Sequence, residues 1–163
     1  LAACTPGSLG ATFHALIVDN GFDLEVLDRE ALNLAALPRP LDYLNARILQ
    51  CHDLWHLAGG YRTTGLHEVA ISGFQAGQFG HHYSTLFLAR VLTRIAGERP
   101  EGAAMFLDVI LSAWTHGRET PPLIGVDWPS VWALPVPAVR ERLGMTAYAS
   151  PYPADLFEQL RAA

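Results

Sequence analysis

Two histidines and two carboxylates carry the chemistry this sequence offers. His52 and His56 are four residues apart in a stretch whose apolar spacing predicts a helix. Both imidazoles therefore lie on one face, one turn apart, where their nitrogens can converge on a single ion. Asp53, three residues before His56, sits on the flank of that face, and its carboxylate either binds the ion or orients one histidine from behind. Beyond the Gly59-Gly60 stop and the Tyr61–Gly65 loop, Glu68 falls in the first turns of the next segment, and an antiparallel return brings it opposite His56. Two imidazoles with one or two carboxylates leave positions open on a metal, the arrangement of a catalytic rather than a structural site. The competing reading, a solvated helix end that merely exposes His and Asp, is opposed by Leu54, Trp55 and Leu57, which bury the flanks of the segment.

Neighbouring residues offer weaker alternatives. Cys51 adjoins His52, but adjacent helical positions point about 100° apart, so Cys51 reads as a buried small hydrophobe. His-Asp-x-x-His differs from the zinc-protease signature His-Glu-x-x-His in Asp53, whose side chain is one methylene shorter. A metal hydrolase built here would have only Asp53 or Glu68 as its base. His67 points away from Glu68 on a helix and is read as solvent-facing or packed. His81 and His82 either line a channel or serve as capping and surface residues, the second being favoured. His116 and Arg118 are possible neighbours of a substrate head group, and Arg118 and Arg140 are the first cations to test for carboxylate binding against a reading as surface pairs.

The elements that must position these residues are helical. A loop rich in Pro and Gly leads to a helix from Leu9, with Phe13, Leu16 and Ile17 on its apolar face and Asn20-Gly21 as its stop. Asp28 is a possible cap for a short helix before the Pro38-Arg39-Pro40 break. Asp42 is a candidate cap for the helix that carries His52 and His56. Further helices are expected from about Thr64 to Gly77, from His82 to Ala96 with Gly97 closing it, from Pro100 to His116, and around Pro137–Leu143. β-branched alternation is almost absent. The fold class is all-α: a single domain over 1–163, an irregular bundle of about five to seven helices. The apolar stripes at 86–95 and 105–114 are core faces, or else walls of a lipid-sized cavity.

Composition narrows the function. A chain of 163 residues that is 50% hydrophobic and 17% charged can bury its own core without disulfides. All eleven basic residues are Arg, which excludes Schiff-base lysine chemistry and a P-loop lysine. A net charge of −5 argues against nucleic-acid binding. Cys4 and Cys51 make no disulfide framework. No signal-peptide pattern and no membrane-spanning apolar run is present, although contact with a membrane surface stays open. Leu1 in place of Met leaves room for residues upstream.

His52-Asp53-Leu54-Trp55-His56, then eleven residues, then Glu68 resembles the His-Asp-x-x-His-x11-Glu signature of the coenzyme Q (ubiquinone) biosynthesis protein 4 family. The likeness extends to Pro6-Gly7-Ser8-Leu9-Gly10, to Phe74 and Gln78, to Trp128, and to the stretch from Val139-Arg140 to Leu143-Gly144. It departs at Gln75, where the family has Glu, and over Phe79–Ser84, where His81 and His82 replace an apolar segment.

The resemblance implies a helical metal protein at the inner face of an energy-coupling membrane. In a bacterium that means cytoplasmic and peripheral to the inner membrane; in a eukaryote, the matrix side of the mitochondrial inner membrane. It implies oxidative decarboxylation at ring C1 of a polyprenylated hydroxybenzoate, with His52, Asp53, His56 and Glu68 at the metal-binding positions. The expected partners are that prenylated quinone precursor, other quinone-biosynthesis enzymes and a second copy of the chain. Zinc is the family's usual assignment but has no redox state with which to activate dioxygen, whereas a His–carboxylate site with open positions suits ferrous iron equally. A non-catalytic scaffold that binds prenyl lipids and organises other enzymes is the alternative.

Overall fold

The helix-forming pattern is realised almost throughout. The structure is a computed structural model that describes residues 1–22, 33 and 36–162. Seven α-helices lie among the described residues: α1 (Leu9–Asp19), α2 (Leu41–Gly59), α3 (Gly65–Phe79), α4 (His82–Glu98), α5 (Ala103–Glu119), α6 (Val136–Leu143) and α7 (Leu156–Ala162). Short 3₁₀ turns at Pro100–Gly102 and Trp128–Val131 join them, and the only β-pairing among the described residues is an isolated bridge between Ser8 and Pro135. The all-α expectation holds. Asp28 lies outside the described residues.

The helix ends show where local chemistry succeeded and where tertiary structure overrode it. Ser8 caps α1 by accepting from the Ala11 amide, and Asn20-Gly21 ends it, Gly21 adopting φ +61°. Asp42 is not the cap of α2. Pro40 holds that position, and Asp42 falls in the first turn, where a carboxylate favours the helix dipole without capping it. Gly97 does not close α4; the helix runs through it to Glu98, because a glycine ends a helix only where the chain adopts the left-handed conformation. The stretch from Pro100 begins as a 3₁₀ turn and becomes α-helical at Ala103. α7 was not anticipated. It lies where periodicity is short, and it is held by tertiary bonds: Glu158 accepts from the Gly65 amide and Ala154 accepts from the Thr64 hydroxyl.

The core is built on α2, α3 and α5 with the irregular segment after α5. Trp55, Leu66, Ile71, Phe74, Val109, Leu123, Trp128 and Val131 are all buried there, joined by Val139 from α6. Burying side chains of this size contributes roughly 1.5–3 kcal/mol each. α3 and α5 approach until backbone meets backbone. A Cβ on Gly73 would lie 2.7 Å from the Ile110 carbonyl, and one on Gly77 or Gly117 would run into the carbonyls of Trp114 and Phe74. Gln78 fastens the same pair, donating to the carbonyls of Gly117 and Thr120 and accepting from the Leu123 amide.

Candidate metal centre

α2 presents His52 and His56 from successive turns, and its end is unusually well satisfied. Gly60 adopts φ +76°, which returns the chain at once toward α3. The orphan carbonyls of the last turn are then taken by distant residues. Arg140 donates from Nε to Ala58 and from Nη2 to Leu57, and the Tyr148 amide donates to Gly59. Arg140 therefore holds the end of the metal-site helix instead of waiting for a carboxylate. Arg118 is exposed and lies over the ring of Trp114.

From this frame three groups converge. His52 Nε2 and His56 Nε2 are 3.1 Å apart, Glu68 Oε2 is 3.5 Å from His52 Nε2, and Glu68 Oε1 is 3.3 Å from His56 Nε2. Among the described residues these three form the group of ligand type, their donor atoms all within 4.8 Å of one another. For metal–ligand bonds of about 2.0–2.1 Å, donors at octahedral to tetrahedral angles stand roughly 2.9–3.4 Å apart. Two of the observed separations, 3.1 and 3.3 Å, fall in that range and the third, 3.5 Å, lies just beyond it, so the donor set fits a divalent ion after a small inward shift of His52 or Glu68. Asp53, half-buried one position along from His52, does not join the group. The two imidazoles differ in access. The His56 side chain is 1% exposed, while those of His52 and Glu68 are 31% and 44% exposed, so the centre opens to solvent on one side only.

Burial pushes the Glu68 carboxyl up, but hydrogen bonds and charge from His52 and His56 outweigh it and hold the group at about 2. His67 is packed. Its Nδ1 accepts from the Arg62 amide, and burial, reinforced by His56 and Arg62, lowers its pKa. His116 is a core residue rather than a neighbour of the opening. Its Nε2–H donates to the Thr146 carbonyl, which leaves Nδ1 to accept from the Tyr61 hydroxyl at 2.7 Å. Tyr61, whose phenol burial pushes far up, stacks on Tyr148 and lies edge-on to His56. Cys51 is buried, and burial raises its thiol pKa, as a small core hydrophobe requires.

Three further side chains run in a hydrogen-bonded row behind His52. Gln75 Nε2 donates to His52 Nδ1 at 2.8 Å, Ser84 Oγ donates to Gln75 Oε1 at 2.6 Å, and His81 Nδ1 donates to Ser84 Oγ at 2.9 Å. Gln75, Ser84 and His81 are each at least nine-tenths buried. Burial, then the nearby His82 and His52, pushes His81 down to about 4, so its ring is neutral at physiological pH. His81 sits at the cap position of α4 with its side chain buried, and His82 is exposed, in line with capping and surface roles. Spacing alone carried one signal for Gln75: it is seven residues after Glu68, two turns along the same face. Tyr61, in a loop, had none.

The fold is an all-α bundle whose described residues gather two histidines and a glutamate into a group of metal-ligand type at the mouth of a half-open site. The chain belongs to the coenzyme Q (ubiquinone) biosynthesis protein Coq4 family, whose family model matches residues 1–149. Among curated relatives, the mitochondrial ubiquinone biosynthesis protein COQ4 homologue of Drosophila ananassae is 29% identical over 140 residues, covering 85% of this chain and 50% of the relative. The rat homologue of the same name is 28% identical over 106 residues, covering 65% of this chain and 39% of the relative. The chain thus spans half or less of these relatives. In fold it is similar to the crystal structure of a candidate ubiquinone biosynthesis protein from Nostoc punctiforme, with a TM-score of 0.68 at 23% identity over 88% of this chain and 65% of that one.

Proposed function

We propose that this protein acts in ubiquinone biosynthesis as a metal-dependent decarboxylase of a polyprenylated hydroxybenzoate. The carboxyl leaves ring C1 as CO₂ and a hydroxyl takes its place, a two-electron oxidation that balances with one dioxygen and one water consumed and one hydrogen peroxide released. The observation that carries the reading is the convergence of His52, His56 and Glu68 at ligand spacing on a face open to solvent at His52 and Glu68. These three would hold the ion, zinc or ferrous iron, with Asp53 outside the ligand set. A divalent ion, when bound, supplies a Lewis acid that draws charge from the carboxylate and phenolate oxygens of the substrate. The buried His56 keeps one wall dry, and Glu68 joins both histidines through its two oxygens, fixing their approach.

A specific observation also supports contact with a lipid surface or partner enzymes, the basis of a scaffold reading. Leu107, Leu111 and Trp114 form an exposed stripe at i, i+4 and i+7 on α5, and Tyr83 and Leu86 on α4 are exposed as well. No helix among the described residues is long and apolar enough to cross a membrane. Metal analysis of the purified protein, with CO₂ release from a prenylated hydroxybenzoate measured under air and under argon, tests the enzyme reading. CO₂ release under air that His56→Ala abolishes is the expected result. A His56→Ala variant that folds and releases CO₂ at the unsubstituted rate would overturn it.

A further inference from the structure

We infer that Gln75, Ser84 and His81 form a reversible hydrogen-bond chain that positions His52 for metal, its donors and acceptors inverting when the ion binds. The inference rests on the metal reading above. In the structure every bond of the chain points toward His52: His81 Nδ1–H to Ser84 Oγ, Ser84 O–H to Gln75 Oε1, Gln75 Nε2–H to His52 Nδ1. With Nδ1 accepting, a neutral His52 carries its proton on Nε2, the nitrogen that faces His56 and Glu68. An imidazole with that proton cannot ligate through Nε2. Ligation requires the proton on Nδ1, and that N–H then needs a buried acceptor.

Every member of the chain can supply the inverse. A half-turn of the Gln75 amide puts Oε1 toward His52 to accept from Nδ1–H, and Nε2 toward Ser84 to donate. The Ser84 hydroxyl rotates to donate to His81 Nδ1, and a neutral His81 accepts there with its own proton moved to Nε2. Bond count and charge are the same in both states. A glutamate at 75 could only accept, so it would lock His52 in the ligating tautomer. Ser84 and His81 are needed here because a buried amide has a donor that a carboxylate lacks, and an unmet buried N–H is costly. Burial of all three side chains keeps water from replacing any member.

Two-dimensional ¹H–¹⁵N spectra of the histidine rings, taken on the full chain at alkaline pH, read the tautomer directly. The expected result is Nε2–H for His52 in metal-free protein and Nδ1–H after zinc is added, with His81 changing in the opposite sense. Gln75→Glu should show Nδ1–H already without metal and keep its zinc affinity. Ser84→Ala should weaken zinc binding by about 10-fold, at the low end for residues that orient a ligand. Nδ1–H on His52 of the metal-free unsubstituted protein would overturn the inference, as would Ser84→Ala that folds and binds zinc as tightly. Failure of the unsubstituted protein to bind either zinc or ferrous iron would overturn the metal reading itself and the chain's role with it.

Discussion

Replacing Glu68 by Gln in the metal-free protein should remove a defined, pH-dependent part of the stability. The glutamine keeps the shape but not the charge that faces His52 and His56 at 3.3–3.5 Å. Glu68 is depressed from 4.5 to about 2, a difference of about 2.5, which at about 1.36 kcal/mol per unit sets a ceiling near 3 kcal/mol. The side chain is 44% exposed, and solvent screening reduces the contribution to about 1 kcal/mol. A carboxyl whose folded pKa lies below its unfolded one stabilises the fold above pH 4.5, and that contribution is lost as pH falls through about 2. Urea unfolding with chelator present, at pH about 5 and about 2.5, measures the difference between the two proteins. Every other acid cancels in the comparison. The original protein should lead by about 1 kcal/mol at the higher pH, and most of the lead should vanish at the lower. A lead that is the same at both values, or absent at both, would refute the arrangement of Glu68 against the two histidines.

Other perturbations separate the site from its frame. Asp53→Asn should weaken divalent-ion binding far less than His56→Ala, read by zinc titration, because Asp53 lies outside the converging group. Tyr61→Phe leaves the buried His116 Nδ1 without its 2.7 Å partner and should cost about 1–3 kcal/mol in denaturant unfolding. Gly77→Ala gains about 1 kcal/mol of helix propensity but drives a methyl into the Trp114 carbonyl. A net loss of about 1–2 kcal/mol is expected by the same assay, since overpacking against backbone cannot relax by a rotamer change.

The sequence reached the helices that periodicity and punctuation define. α1 between Ser8 and Asn20-Gly21, α2 ending at Gly60 and α6 before Gly144 lie close to where spacing and glycine stops place them. It missed α7, whose seven residues are too few for a periodic signal and whose start is tied to α3 by Glu158 and Ala154. It misread Asp42 and Gly97 because a cap is a backbone conformation, which residue type favours without deciding.

For the centre, sequence determined that two imidazoles share one helix face, since four residues make about one turn whatever surrounds them. It also selected Glu68 as the residue returning after a glycine stop. Only the tertiary structure decided that Glu68 meets both histidines while Asp53 stays aside, because a shared turn leaves the final direction of each side chain to packing. Arg140 and His116 belong to the frame for the same reason. Their charge and ring suggested a substrate, but the carbonyls of Leu57, Ala58 and Thr146 and the Tyr61 hydroxyl claim them in the folded chain. The chain from His52 through Gln75 and Ser84 to His81 joins three helices and the turn before α4. The bond from Gln75 to His52 spans 23 residues and is set by the packing of α3 against α2, so the face that Gln75 shares with Glu68 is all that spacing records of it.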